Sequence, residues 1–119
     1  MAKYLDADEF YAEILKWKES SADPDERVPS EKLGTMFITL ADHIIRGPSF
    51  HRYPFETKND MKGYAMLKCI KGLKTFDTTR GAKSAFSYFT RVVWVAFITE
   101  INKHYNHQNT VRMLEKDYL

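Results

Sequence analysis

The chain holds a single cysteine, Cys69, among 119 residues. An internal disulfide is therefore excluded, and a reducing, intracellular setting is expected. No early apolar run is long or continuous enough to read as a signal peptide or to span a bilayer, which needs about 20 apolar residues. The sequence has no Gly-rich phosphate loop, no G-x-S-x-G elbow and no local carboxylate pair in an apolar setting. A binding protein is therefore expected in place of an enzyme, without a cofactor. His104 and His107 have an H-x-x-H spacing, but no acidic or cysteine partner is assigned to them from the sequence, so they read as surface histidines and no metal site is expected. Internal repeats and low-complexity tracts are also missing.

What is present is the composition of a folded soluble domain, 44% hydrophobic and 29% charged, at a length that makes one core and not two. The net charge of +2 conceals an asymmetry. Residues 1–57 carry seven Lys and Arg against eleven Asp and Glu, whereas residues 58–119 carry eleven against five. The first half is acidic by 4 charges and the second basic by 6. A basic half that is also rich in aromatic residues suits a polyanionic partner, although solvated helices show similar imbalances.

Hydrophobic periodicity predicts helices. In DADEFYAEILKWKES, Phe10, Ile14 and Trp17 recur at i, i+4, i+7, with Asp6 or Asp8 as the N-cap and an end near Ser20. SADPDERVP reads as a linker. Pro29-Ser30-Glu31 starts a second helix, in which Leu33, Met36, Phe37, Leu40, Ile44 and Ile45 keep one face apolar until Gly47-Pro48. SFHRYPFET reads as an ordered loop whose rings pack down on the helices. A third helix is expected from about Asn59, capped by Asn59 or Asp60, to about Thr75.

That third helix carries two apolar stripes. Met61, Ala65, Cys69, Leu73 and Phe76 form one; Gly63, Met66, Leu67 and Ile70 form another on roughly the opposite side. A helix apolar on two sides is either central in a bundle or keeps one face for a partner. In the last segment VVWVAFI has strand propensity, but the apolar pattern runs from Phe86 through Phe89, Val93, Ala96, Phe97 and Ile101 at helical spacing, which predicts a helix over about 82–104.

The order of the parts then matters. A helix ending in Phe-Asp, an Arg-Gly turn and a helix opening with Tyr-Phe-Thr resembles the second conserved region of bacterial sigma factors. Over residues 8–105 the chain is similar to the late-transcription sigma factors of T-even bacteriophages: EILKWKES, LGTMFITLADHII, IKGL followed by FD, and KSAFSYFT with AF close behind. The resemblance implies a small all-α domain of about four main helices spanning residues 1–119, with 105–119 a helical or flexible tail. It implies a promoter-specificity factor that binds multisubunit RNA polymerase and melts A/T-rich minus-10-like late promoters in the cytoplasm of an infected bacterium.

By the same resemblance Tyr88 is the ring that stacks a flipped base, and Phe76, Asp77 and Arg80 complete the corner of its pocket. Lys83 and Arg91 are basic contacts to the strand, and Val95 replaces the family's base-reading glutamine, so duplex readout there is expected to be weak or different. Asp60, Gly63, Met66, Leu67 and Ile70 fall on the face that meets the coiled coil of the polymerase's largest subunit. The family's carboxyl-terminal tail docks on a sliding clamp, which adds the clamp and a phage co-activator as candidate partners. An inhibitor or co-activator that binds polymerase without touching DNA is the alternative, and a non-specific single-strand binder a third.

Overall fold

The structure is a computed structural model and describes residues 4–20, 23 and 27–118, the side chains of residues 117 and 118 excepted. Among them are four helices and no strand, so the domain is all-α. They are α1 (Ala7–Glu19), α2 (Glu31–Ile45), α3 (Phe55–Thr75) and α4 (Gly81–Tyr118), with a 3-10 turn at Thr78–Arg80 between the last two.

Capping sets the first two starts. The Asp6 carboxylate accepts from the backbone N–H groups of Asp8 and Glu9 at 2.9 and 3.2 Å, satisfying donors that the first turn of a helix leaves open. Ser30 caps α2 by accepting from Leu33 N at 3.0 Å, and its hydroxyl also donates to Glu13 Oε2 at 3.2 Å. The second bond ties the α2 cap to α1 and supplies a partner for Glu13, the one buried charged residue among those described. Lys16 Nζ adds an ion pair to Glu13 at 3.4 Å. The SADPDERVP linker lies partly outside the described residues, but Arg27 donates to the Lys18 carbonyl at 3.0 Å and lies 5.4 Å from the Trp17 ring centroid, closing the end of α1.

Two boundaries differ from expectation. α3 begins at Phe55 and not near Asn59. Pro54, at ψ 155°, fixes an extended entry, its carbonyl accepts from Lys58 N at 2.9 Å, and Glu56 places an acid in the first turn. Asn59 and Asp60 are therefore interior helical residues and cap nothing. The loop rings divide accordingly: Phe50 is buried, Tyr53 packs partly on the core, and Phe55 projects outward. α4 continues past His104 to Tyr118, because no Gly or Pro follows Gly81 to stop it. At 1.5 Å per residue its 38 residues run about 57 Å, which sets the 58 Å long axis of the domain.

The core follows the predicted stripes, including all of Met61, Ala65, Cys69, Leu73 and Phe76 on α3. Its centre is Phe89 of α4, whose ring centroid lies 5.5 Å from Phe10, 5.2 Å from Phe37, 5.8 Å from Phe76 and 5.0 Å from Tyr88. Rings in such tilted and edge-on pairs contribute about 0.5–1.5 kcal/mol each beyond the area they bury. The fold therefore converges on the start of α4, where the sequence-derived site residues lie.

Candidate functional site

Between α3 and α4 lies an open groove of about 370 Å³, lined by Tyr64, Lys68 and Gly72 from α3 and by Tyr88, Arg91, Val92, Val95, Ala96 and Thr99 from α4. The α4 residues recur at three- and four-residue spacing, which puts them on one face. The α3 residues do the same at intervals of four. Its volume falls in the range of small-molecule clefts, about 300–1,000 Å³.

The groove brings together three of the residues expected to meet DNA, Tyr88, Arg91 and Val95. It adds Tyr64, Lys68 and Thr99, which the sequence reading did not single out, because their juxtaposition depends on how α3 crosses α4. Lys68 Nζ lies 5.4 Å from the Tyr64 ring centroid, and Lys103 Nζ lies 4.4 Å from it. With Arg91, these ammonium groups give an apolar slot a basic rim.

Tyr88 is half-buried. Its ring centroid lies 5.2 Å from that of Phe76, and its hydroxyl lies 2.8 Å from Thr75 Oγ1. Gly72 lies beneath the Tyr88 and Phe89 rings. A Cβ built there would stand 3.5 Å from Tyr88 Cε1 and 3.3 Å from Phe89 Cε1. Phe76 itself is buried at 4% exposure, so it backs the Tyr88 ring and offers no free face of its own.

The corner residues do not line the groove. Asp77 caps the 3-10 turn, accepting from Thr79 Oγ1 at 2.7 Å and Thr79 N at 3.0 Å. The Thr79 side chain first, its backbone N–H second, and the nearby charges of Arg80 and Lys18 hold the Asp77 carboxyl below the usual aspartate range. Gly81 follows at φ 86°, ψ −179°, a left-handed conformation that favours glycine and turns the chain into α4. The Tyr11 hydroxyl donates to the Thr78 carbonyl and anchors this corner to α1. Asp77, Arg80 and Lys83 are all exposed.

On α3 the second stripe stays at the surface. Leu67 is 49% and Ile70 38% exposed, Gly63 is exposed, and Met66 packs partly on the core. Asp60, expected on the same face, directs Oδ2 toward His104 Nε2 of α4, 3.5 Å away. Cys69, on the inner stripe, is fully buried, and burial pushes its thiol up to about 12, so it is no nucleophile. No helix among the described residues is long and apolar enough to cross a membrane. No protein-family model matches the chain, and a search of curated proteins finds no significant match.

Proposed function

We propose that the protein is a sigma-like promoter-specificity factor, which binds multisubunit RNA polymerase through the outer face of α3 and helps open A/T-rich, minus-10-like late promoters along the α3–α4 groove. The observation that carries this reading is the groove itself. It joins an aromatic ring of α4, Tyr88, to a basic rim of Lys68 and Arg91 over an apolar floor. A base leaving the duplex needs a ring against which to stack, and its strand needs cations for its phosphates. Each stacked base contributes about 1–3 kcal/mol, comparable to the few kcal/mol that extruding it costs.

The exposed pair Leu67 and Ile70 supports the polymerase half of the proposal, since both stand on a face that the domain's own helices leave open. The charge division supports the DNA half, with the excess of basic residues confined to residues 58–119. Purified chain added to bacterial core polymerase should form a complex and direct run-off transcripts from late-type promoters. Absence of any polymerase complex removes the reading.

One observation favours the alternative of a polymerase ligand that does not touch DNA. Phe76 is buried and the Tyr88 hydroxyl is already paired with Thr75, so part of the aromatic surface serves the core. A complex with polymerase that yields no transcript on any late-type promoter selects that alternative.

A further inference from the structure

Three ligand-type side chains meet where α4 leaves the body of the domain. Glu100 and His104 stand four residues apart on α4 and so share a face, and Asp60 reaches them from α3. Their nearest side-chain oxygen and nitrogen atoms all lie within 4.8 Å of one another. His104 Nε2 is 3.5 Å from Asp60 Oδ2 and 3.7 Å from Glu100 Oε1. Although it has a carboxylate on each side, this nitrogen makes no hydrogen bond and has almost no surface open to solvent.

Those separations are long for N–H···O bonds, which cluster at about 2.9–3.0 Å. They come close to a different arrangement, since ligand atoms that each stand about 2.0–2.2 Å from a tetrahedral zinc ion are about 3.3–3.6 Å apart. We propose that Asp60, Glu100 and His104 form a binding site for a zinc-type divalent cation, clasping α3 to α4. Two carboxylates and a neutral imidazole supply a charge of −2, and the imidazole selects zinc-type ions over magnesium or calcium, which prefer oxygen. The Asp60 side chain is 59% exposed, which gives the ion an entry path and leaves water room to complete the shell. Lys103 Nζ lies 3.8 Å from the other Glu100 oxygen, Oε2, so it leaves Oε1 to the site while lowering its affinity.

The position gives the clasp a structural role. Among the described side chains Ile101 is the last buried one of α4, and from Tyr105 to Lys116 every residue is exposed. A cation at His104 therefore ties α3 to α4 one turn beyond Ile101, where α4 leaves the core. None of the three residues lines the groove, and only Asp60 is shared with the face that the resemblance assigns to polymerase.

The test uses the whole chain, stripped with a chelator and titrated with zinc chloride alone. Zinc should bind at one equivalent and raise the thermal midpoint, and cobalt in its place should give the visible absorption of a tetrahedral complex. His104→Gln should weaken zinc binding at least tenfold, as should Asp60→Asn and Glu100→Gln, while His107→Gln leaves it unchanged. Circular dichroism of the chelated variants checks that each is folded. Failure of zinc to bind overturns the proposal, and so does binding that survives in His104→Gln or that His107→Gln abolishes.

Discussion

The hydroxyls of Tyr88 and Thr75 lie 2.8 Å apart, joining the first turns of α4 to the last residue of α3. The contact fixes the Tyr88 ring at the mouth of the groove, with Phe76 behind it and Phe89 edge-on beside it. Thr75 is exposed, so water can replace either partner. Tyr88→Phe should therefore lose only about 0.5 kcal/mol of stability, at the low end for a hydrogen bond, as read by urea unfolding. Promoter opening should be unchanged, since the ring and not the hydroxyl would stack. A large loss of opening in this variant would assign the hydroxyl a direct role.

Gly72 and Gly34 separate packing from helix propensity. Replacing a glycine inside a helix by alanine gains about 0.5–1 kcal/mol where space allows. A methyl group at Gly34 would meet nothing within 4 Å, so Gly34→Ala should show that gain. At Gly72 the methyl would meet Phe89 Cε1 at 3.3 Å, and Phe89 is fully buried among other rings. Gly72→Ala should therefore show no gain, or a loss, in thermal melts run side by side. An equal gain at both positions would mean that the Phe89 and Tyr88 rings move freely.

The Cys69 thiol should resist alkylation at pH 8 in the native protein and react at once in denaturant, since it is fully buried. Its pKa rises from an ordinary 9.0 to about 12 on folding. The neutral form is thus favoured in the fold. The associated stability is fully present below pH 9 and is lost as pH rises toward 12, because the unfolded thiol ionises first. Thiol titration monitored at about 240 nm on the folded and denatured chains checks the sign.

Ile70→Asp probes the outer face of α3. The side chain is 38% exposed, so a carboxylate there remains hydrated and circular dichroism should show an unchanged fold. In a polymerase interface the same carboxylate is desolvated without a partner, which should weaken the complex at least tenfold. An unfolded variant would place Ile70 in the core and remove the partner face.

How much of this was legible in the sequence depended on whether the signal was local. The α2 stripe from Leu33 to Ile45 and the inner stripe of α3 were readable because one period fixes one face, and every predicted position on them is buried. The VVWV run of α4 was readable as helix because its neighbours kept the helical period despite the strand propensity of valine. The start of α3 was not, since Pro54 and Phe55 read as loop chemistry although proline also suits a helix entry. Tyr64 and Lys68 join the groove, and Asp60 joins His104, only through the packing of α3 on α4. Glu100 stood within reach of sequence reasoning, one turn before His104, but without Asp60 the pair reads as an ordinary helical ion pair. The groove was half legible: resemblance supplied Tyr88, Arg91 and Val95, and the helix crossing supplied the rest.

Permanganate reactivity of unpaired thymines on a late-type promoter tests the central claim most directly, because it reports strand opening and not mere binding. With bacterial core polymerase and the wild-type chain together, thymines of the minus-10-like segment should become reactive, and with either component alone they should not. Tyr88→Ala should still form the polymerase complex but reduce the reactive fraction by about 5- to 150-fold in the opening equilibrium, the equivalent of about 1–3 kcal/mol of lost stacking. A template with a pre-melted bubble should restore part of that loss by removing the unpairing cost. Thymines that stay unreactive although the polymerase complex forms, or opening by Tyr88→Ala equal to wild type, would contradict a melting surface at the α3–α4 groove.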